Sequence, residues 1–294
     1  MIYLVTGATG TIGSLVVEQL IKRGDRPLVF VRDADKARLL YGNRVDVFTG
    51  DLGEAVTLKP ALRGADTLLL VNAGPDLAAR DEAAAHAAKS EGVKRLVKIS
   101  SYDAGQNVGT GVWHAQGEKA IRASGLPFTF VQPSGFMSNV LFWATSIKAE
   151  GTVRSATAEG KIPFIHPQDI ADVATMALTS RDYDGMSLPI TGPEALSYVE
   201  MTERIGTAIG KRLTFTPISE EQVRRRMIDD NDAENVIEAH LSIYRAIREG
   251  RLAAVTDTVE RALGRKAIRF EQWVQENAAV FADAARACQT RAAL

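Results

Sequence analysis

Gly7, Gly10 and Gly13 stand three residues apart just after an apolar run, Tyr3-Leu4-Val5, and Ile12, Val16 and Leu20 then recur every fourth residue. The first pattern reads as a strand and the second as one face of a helix, so the glycines occupy the turn between them. Glycine there admits a tight bend, close approach of backbone to a ligand, and close packing of helix on strand. The leading amides of the helix have no intrahelical partners and carry the positive end of its dipole. Strand, glycine loop and helix together make a seat for a pyrophosphate. This chemistry assigns Gly7, Thr9, Gly10, Thr11, Ile12 and Gly13 to binding a dinucleotide.

The choice of dinucleotide falls to the end of the second apolar run, about 20 residues on. Arg32 sits there, and its planar fork suits the 2′-phosphate of NADP or the face of adenine. Asp33 follows it and offers a carboxylate to the ribose of NAD, or a cap to the next helix. NADP is favoured, and NAD stays open. Asp51 and Leu52 close the third apolar run, where Asp51 is placed to accept from the adenine amino group; a plain turn residue would look the same. Asn72-Ala73-Gly74 ends the fourth, with its backbone against the nicotinamide ribose.

Six stretches that are apolar nearly throughout, "IYLVTG", "RPLVFVR", "RVDVFTGD", "DTLLLVNAG", "KRLVKISS" and "PFTFVQP", are the strands that must hold these residues. Helical segments separate them. After the one that follows the glycines come "DADKARLL", capped by Asp33 or Asp35, and "EAVTLKPALRG", with Gly64 at its C-cap. The alanine-rich stretch from Asp76 to Glu91 and "VWHAQGEKAIRASG", ended by Gly125, complete the set. The alternation predicts an α/β fold, a doubly wound parallel sheet covered on both faces. After Pro133 the pattern turns irregular. "SGFMSNVLFWATSIKAEG" is aromatic-rich, "IPFIHPQDIADVATMALTS" reads as a short strand and a helix, "MSLPITGP" as one more strand, and helix dominates from Ser197. The expected division is a cofactor-binding core over 1–132 and 167–192, with a smaller, mostly helical C-terminal substrate cap over 133–166 and 193–294. Phe136, Phe142, Trp143 and Phe164 form a candidate wall for a flat apolar substrate, although each alone fits ordinary core equally well.

Lysine and arginine number 35 against 36 acidic residues, so nothing in the charge favours nucleic acid or an anionic membrane. Arg224-Arg225-Arg226, set between "SEEQ" and "DDND", reads as a solvated helix face. No run approaches the roughly 20 apolar residues of a membrane span, and the opening lacks the basic start and long apolar core of a secretory signal. The single cysteine, Cys288, excludes an intramolecular disulfide and favours a reducing, cytoplasmic setting. His86, His114, His166 and His240 lack metal-ligand spacing, so no metal is expected.

"TGATGTIG", "VRDADKA", "TGDL", "EKAIRASGLPFTFVQPSGFMSN", "HPQDIADVA" and "TGPEALSYVEMTERIG" together resemble the NmrA-like branch of atypical short-chain dehydrogenases, over nearly the whole chain. The resemblance implies a Rossmann core, NADP more often than NAD, and a cap that closes a substrate cleft. Members of that branch include NADP-sensing regulators, quinone reductases, isoflavone-reductase-like enzymes and tailoring reductases of aromatic polyketides. Ordinary short-chain dehydrogenases carry a serine and then Tyr-x-x-x-Lys. Here Ser100 or Ser101 matches the serine, while Thr110 stands at the tyrosine and His114 at the lysine. Threonine is far too weak an acid, and histidine is charged only near or below about pH 6.5. The expected activity is hydride transfer from NADPH to a quinone or conjugated aromatic carbonyl, with Ser100, Asn72 and His114 as the nearest hydrogen-bond donors. A catalytic His114 would donate a proton or hold the nicotinamide ribose. The alternative is a non-catalytic redox sensor that binds a protein partner.

Overall fold

Strand β1 (Tyr3–Thr6) is buried along its whole length, as a strand covered on both faces must be. The computed structural model describes residues 1–282 and divides them between two units. The first takes Met1–Pro133, Pro167–Ile190 and Thr258–Arg265; the second takes Ser134–His166, Thr191–Asp257 and the chain from Lys266. Cys288 lies outside the described residues.

In the first unit β1 leads to α1 (Thr11–Lys22), β2 (Leu28–Val31), α2 (Ala34–Tyr41), β3 (Asp46–Thr49), α3 (Lys59–Leu62) and β4 (Thr67–Val71). Then follow α4 (Leu77–Ser90), β5 (Arg95–Ile99), α5 (Gly111–Ser124) and β6 (Phe128–Pro133). The chain forms α6 (Ala144–Glu150), β7 (Thr152–Ser155) and β8 (Lys161–Ile162) in the second unit before α7 (Pro167–Thr179) and β9 (Ser187–Ile190) rejoin the first. The second unit continues with β10 (Leu196–Ser197), α8 (Tyr198–Ile209), β11 (Thr214–Pro217), α9 (Glu220–Asp229) and α10 (Glu234–Arg248). Helix α11 (Thr258–Leu263) belongs to the first unit and α12 (Phe270–Phe281) to the second. No helix among the described residues is long and apolar enough to cross a membrane.

Seven strands form one parallel sheet in the order β3-β2-β1-β4-β5-β6-β9. This is the doubly wound Rossmann arrangement the alternation predicts. Leu4, Leu68, Leu70, Leu96 and Phe130 pack into one core with Ala84, Ala88 and Ile121 of α4 and α5. Val5, Leu69 and Val97 alternate with them and turn to the opposite face. The strand order reverses between β1 and β4, and Thr6 ties that junction: Val71 N donates to its hydroxyl at 2.8 Å, and the hydroxyl reaches Val71 O at 3.1 Å.

Several expectations change. "EAVTLKPALRG" is not one helix but a 3₁₀ turn over Ala55–Leu58 followed by the short α3. Pro60 has no N–H to donate, and its ring would strike the preceding turn of a continuous helix. Gly64 stands one residue beyond the C-cap, Arg63, with φ +86°. The parallel pair β7–β11 lacks a sequence signature because β11 is largely exposed. The return of α11 was also unforeseen. Asp169, fully buried at the start of α7, takes its ion pair at 2.6 Å from Arg265, just after α11.

Beneath the carboxyl edge of the sheet, Asp81 of α4 and Lys98 of β5 form an ion pair at 2.5 Å with neither side chain exposed. A Cβ on Gly117 would stand 2.2 Å from the same Asp81 carboxylate, so the glycine lets α5 close over the pair. Removing one member of a buried pair strands the other charge. Lys98→Met is therefore expected to cost about 3–5 kcal/mol, and Asp81→Leu combined with Lys98→Met to restore a large part of it. Urea unfolding of the single and double variants checks this; a double variant as weak as the single one would refute it.

Candidate active site

The glycine loop closes on itself. Gly10 N donates to Gly7 O at 2.9 Å, and Ser14 N to Gly10 O at 3.0 Å. Gly7 has φ +58°, and a Cβ on Gly13 would lie 2.2 Å from Gly7 O. Gly10 caps α1 without a side chain, which leaves the first helical amides to a ligand. Tyr41, buried at the end of α2, donates from its hydroxyl to Ala8 O at 2.5 Å and pins the loop from outside; burial pushes its pKa up to about 12. Tyr41 gave no sign of this in the sequence, because only the fold brings it to Ala8.

The loop floors a cavity of about 580 Å³ at the carboxyl ends of β1 to β4, where open parallel sheets bind ligands. Gly7, Thr9 and Gly10 line it with Arg32, Asp51, Leu52, Asn72 and Ala73, so eight of the expected cofactor residues converge. Thr11, Ile12 and Gly13 differ. Thr11 is exposed at the helix start, the Ile12 side chain is core, and Gly13 serves close packing; their contribution is backbone amides. Lys36 and Arg80 also line the cavity and went unnoticed in the sequence. Arg32 and Lys36 are both exposed. Asp33 caps α2, its Oδ1 accepting from Lys36 N at 2.9 Å, so its carboxylate is committed. Asp51 Oδ1 accepts from Gly53 N at 2.7 Å, a turn bond that leaves the second oxygen to a ligand. The glycine cradle, the open amides and the two cations fit an NADP-type dinucleotide.

The candidate donors near the ends of β4 and β5 are engaged or neutral. Ser100 donates to Glu118 Oε1 at 2.5 Å in a buried contact that Gln132 joins at 2.8 Å, so its proton is not available to a substrate oxygen. Asn72 Nδ2 donates to Leu77 O and to Asp81 Oδ1, both at 3.1 Å, while its Oδ1 accepts from Ala73 N. Its side-chain amide is thereby committed to the turn after β4. Burial, with the Lys98 charge adding to it, drives His114 down to about 3, so the ring is neutral near pH 7 and disfavours the imidazolium that proton donation needs. Its Nδ1 is buried without a partner. Thr110 sits at the start of α5. Asp103, on the β5–α5 connection, was missed; burial raises its carboxyl to about 6.

The aromatic set lies in the second unit and does not make one wall. Phe164 is core, and a Cβ on Gly135 would meet its ring at 2.4 Å. Trp143 and Phe164 pack on Tyr198 with centroids 4.9 and 6.0 Å away. Phe136 is half-buried, its backbone bridged to Ile165, and Phe142 stands 86% exposed. Phe142 and Trp143 close a 3₁₀ turn over Met137–Trp143, where adjacent side chains point in different directions.

A glycine loop and open helix start beneath a cavity at the switch point of a parallel sheet define a Rossmann-type dinucleotide-binding protein. A family model described as NAD(P)H-binding matches residues 7–181, and the chain belongs to that family. Over 282 residues it is 36% identical to an NAD(P)H azoreductase from Xenophilus azovorans, covering 95% of this chain and 98% of the relative. It is 34% identical over 284 residues to a (4-alkanoyl-5-oxo-2,5-dihydrofuran-3-yl)methyl phosphate reductase from Streptomyces griseus, with 95% and 99% covered. An NADPH-dependent quinone oxidoreductase from Escherichia coli, solved with NADPH, matches with a TM-score of 0.85 at 24% identity, over 94% of this chain and 99% of that one. The NmrA-like resemblance of the motifs agrees with this membership. The chain is an NAD(P)H-dependent oxidoreductase, which sets aside the non-catalytic sensor.

Two half-buried groups should give stability opposite pH limbs. Unfolded His114 binds a proton that the folded ring refuses, so its contribution is lost as pH falls from about 6.5 to about 3. Folded Asp103 holds a proton that the unfolded carboxyl releases, so stability falls as pH rises from 3.8 to about 6. His114→Phe should flatten the first limb. Asp103→Asn should stabilise the protein at neutral pH by up to about 3 kcal/mol and hardly at all below pH 4. Denaturant unfolding across pH reads both; unchanged curves would contradict the burial argument.

Proposed function

We propose that this oxidoreductase reduces a quinone or conjugated aromatic carbonyl, a small planar acceptor, with NADPH preferred over NADH. The observation that carries the reading is the state of the donors beside β4 and β5. Ser100 is bonded to Glu118, the Asn72 amide to Leu77 and Asp81, and His114 is neutral. None of them readily protonates a developing alkoxide, as reduction of an isolated ketone requires. A quinone spreads incoming charge over its ring and second oxygen, so weak donors and solvent suffice. When bound, NADPH supplies the hydride, and a proton from solvent completes the hydroquinone. His114 would act by position, in the place where related dehydrogenases use lysine, with its unpartnered Nδ1 as the acceptor it offers. Arg32 and Lys36 take the 2′-phosphate. The azoreductase relative supports a conjugated, electron-poor acceptor. A tailoring reduction in aromatic natural-product assembly is the role this acceptor class suggests, and a quinone-bearing polyketide in the same assay tests it.

Purified protein should oxidise NADPH with a naphthoquinone and leave simple aryl ketones untouched. Ser100→Ala should keep quinone turnover within about threefold, and a hundredfold loss would restore the serine as a donor. His114→Ala should raise the KM for NADPH more than it lowers kcat; the reverse split would refute the positioning role. Arg32→Ala should weaken NADPH about tenfold and NADH little. Equal effects on both cofactors, measured by fluorescence titration, would remove the NADP preference.

A further inference from the structure

Arg80 lies in the first turn of α4, and its guanidinium reaches back to the lining of the cavity. It stands between two glycines that follow different strands. A Cβ on Gly53, after β3, would be 3.9 Å from its Nε, and one on Gly74, after β4, 4.0 Å from its Nη1. Nη1 donates to Ala73 O at 3.3 Å, and Nη2 forms a loose ion pair at 3.6 Å with the largely exposed Asp76 carboxylate. Nε is buried and has no partner. Pinning the Ala73 carbonyl would use one long bond and leaves that buried donor unexplained.

We infer that Arg80 is a cofactor contact that closes the adenine end of the dinucleotide, offering its free Nε–H and the flat face of its guanidinium to the purine. The inference rests on reading the cavity as the NADPH site. Asp51 and Leu52, placed at adenine, precede Gly53 directly, so the guanidinium falls on the adenosine half of the site. Adenine offers ring nitrogens that accept and a π-face on which guanidinium stacks. A buried donor without a partner is costly, and a bound purine relieves that cost. Only glycines stand beside the guanidinium at positions 53 and 74, and the Arg80 side chain as a whole keeps 32% of its surface exposed.

The test uses Arg80→Ala and Arg80→Lys in the full chain, with binding measured by calorimetry and unliganded stability by thermal unfolding. The ligands are NADPH, its 2′-phosphorylated adenosine half and reduced nicotinamide mononucleotide. Arg80→Ala should weaken NADPH and the adenosine half about tenfold and leave the mononucleotide unchanged. Arg80→Lys should not restore binding, because a point charge neither stacks nor presents the Nε–H. Full rescue by lysine, or equal weakening of both halves, would show a bare charge on the phosphates and overturn the inference. Unchanged affinities with a lower unfolding temperature would reduce Arg80 to a turn support. If the wild-type protein bound neither half, the NADPH reading itself would fall first.

Discussion

The Asp81–Lys98 pair is the constraint on which the candidate active-site edge depends. With neither side chain exposed, each charge must find its partner inside the protein, and the pair stays in place only if α4, β5 and α5 keep their spacing. Asp81 also receives the Asn72 amide, so the same carboxylate holds the turn after β4 whose backbone lines the cavity. Gly117 permits the approach, since any side chain there would occupy the space of the carboxylate. The Lys98 charge adds to burial in keeping His114 neutral. One ion pair thus couples the stability of the core to the protonation state of the site.

The cofactor end works by a different device. Its loop is held by neutral hydrogen bonds, Gly10 N on Gly7 O and the Tyr41 hydroxyl on Ala8 O, rather than by charge. Close packing of Gly13 on Gly7 sets the distance between loop and helix, and the helix amides remain open. Side chains enter at the far end, where Arg32, Lys36 and Arg80 gather around the strands' carboxyl ends. This division suits a dinucleotide, whose pyrophosphate is read by backbone and whose adenosine is read by planar and charged groups.

The engaged state of Ser100 and Asn72 shapes the chemistry as much as the missing tyrosine does. The Ser100 hydroxyl and the Asn72 amide are committed to Glu118, Leu77 and Asp81. The second unit brings Trp143 and Phe164 together on Tyr198, an aromatic cluster that owes its form to core packing.

The sequence by itself determined whatever depends on neighbours along the chain. The alternation of apolar strands with helices, the glycine loop, the Asp33 cap and the Gly125 stop were all readable because each is a contact within a few residues. The cofactor class followed from the same local logic at Gly7, Gly10 and Arg32. Tertiary structure alone decided the rest. Arg265 returned α11 to a buried Asp169 from 96 residues away. Ser100 commits its hydroxyl hydrogen bond to Glu118 of α5, and His114 is kept neutral by burial near a lysine on another element. A sequence names a side chain and its spacing. Its protonation, its hydrogen-bond partner and the direction it faces belong to the groups that folding brings around it.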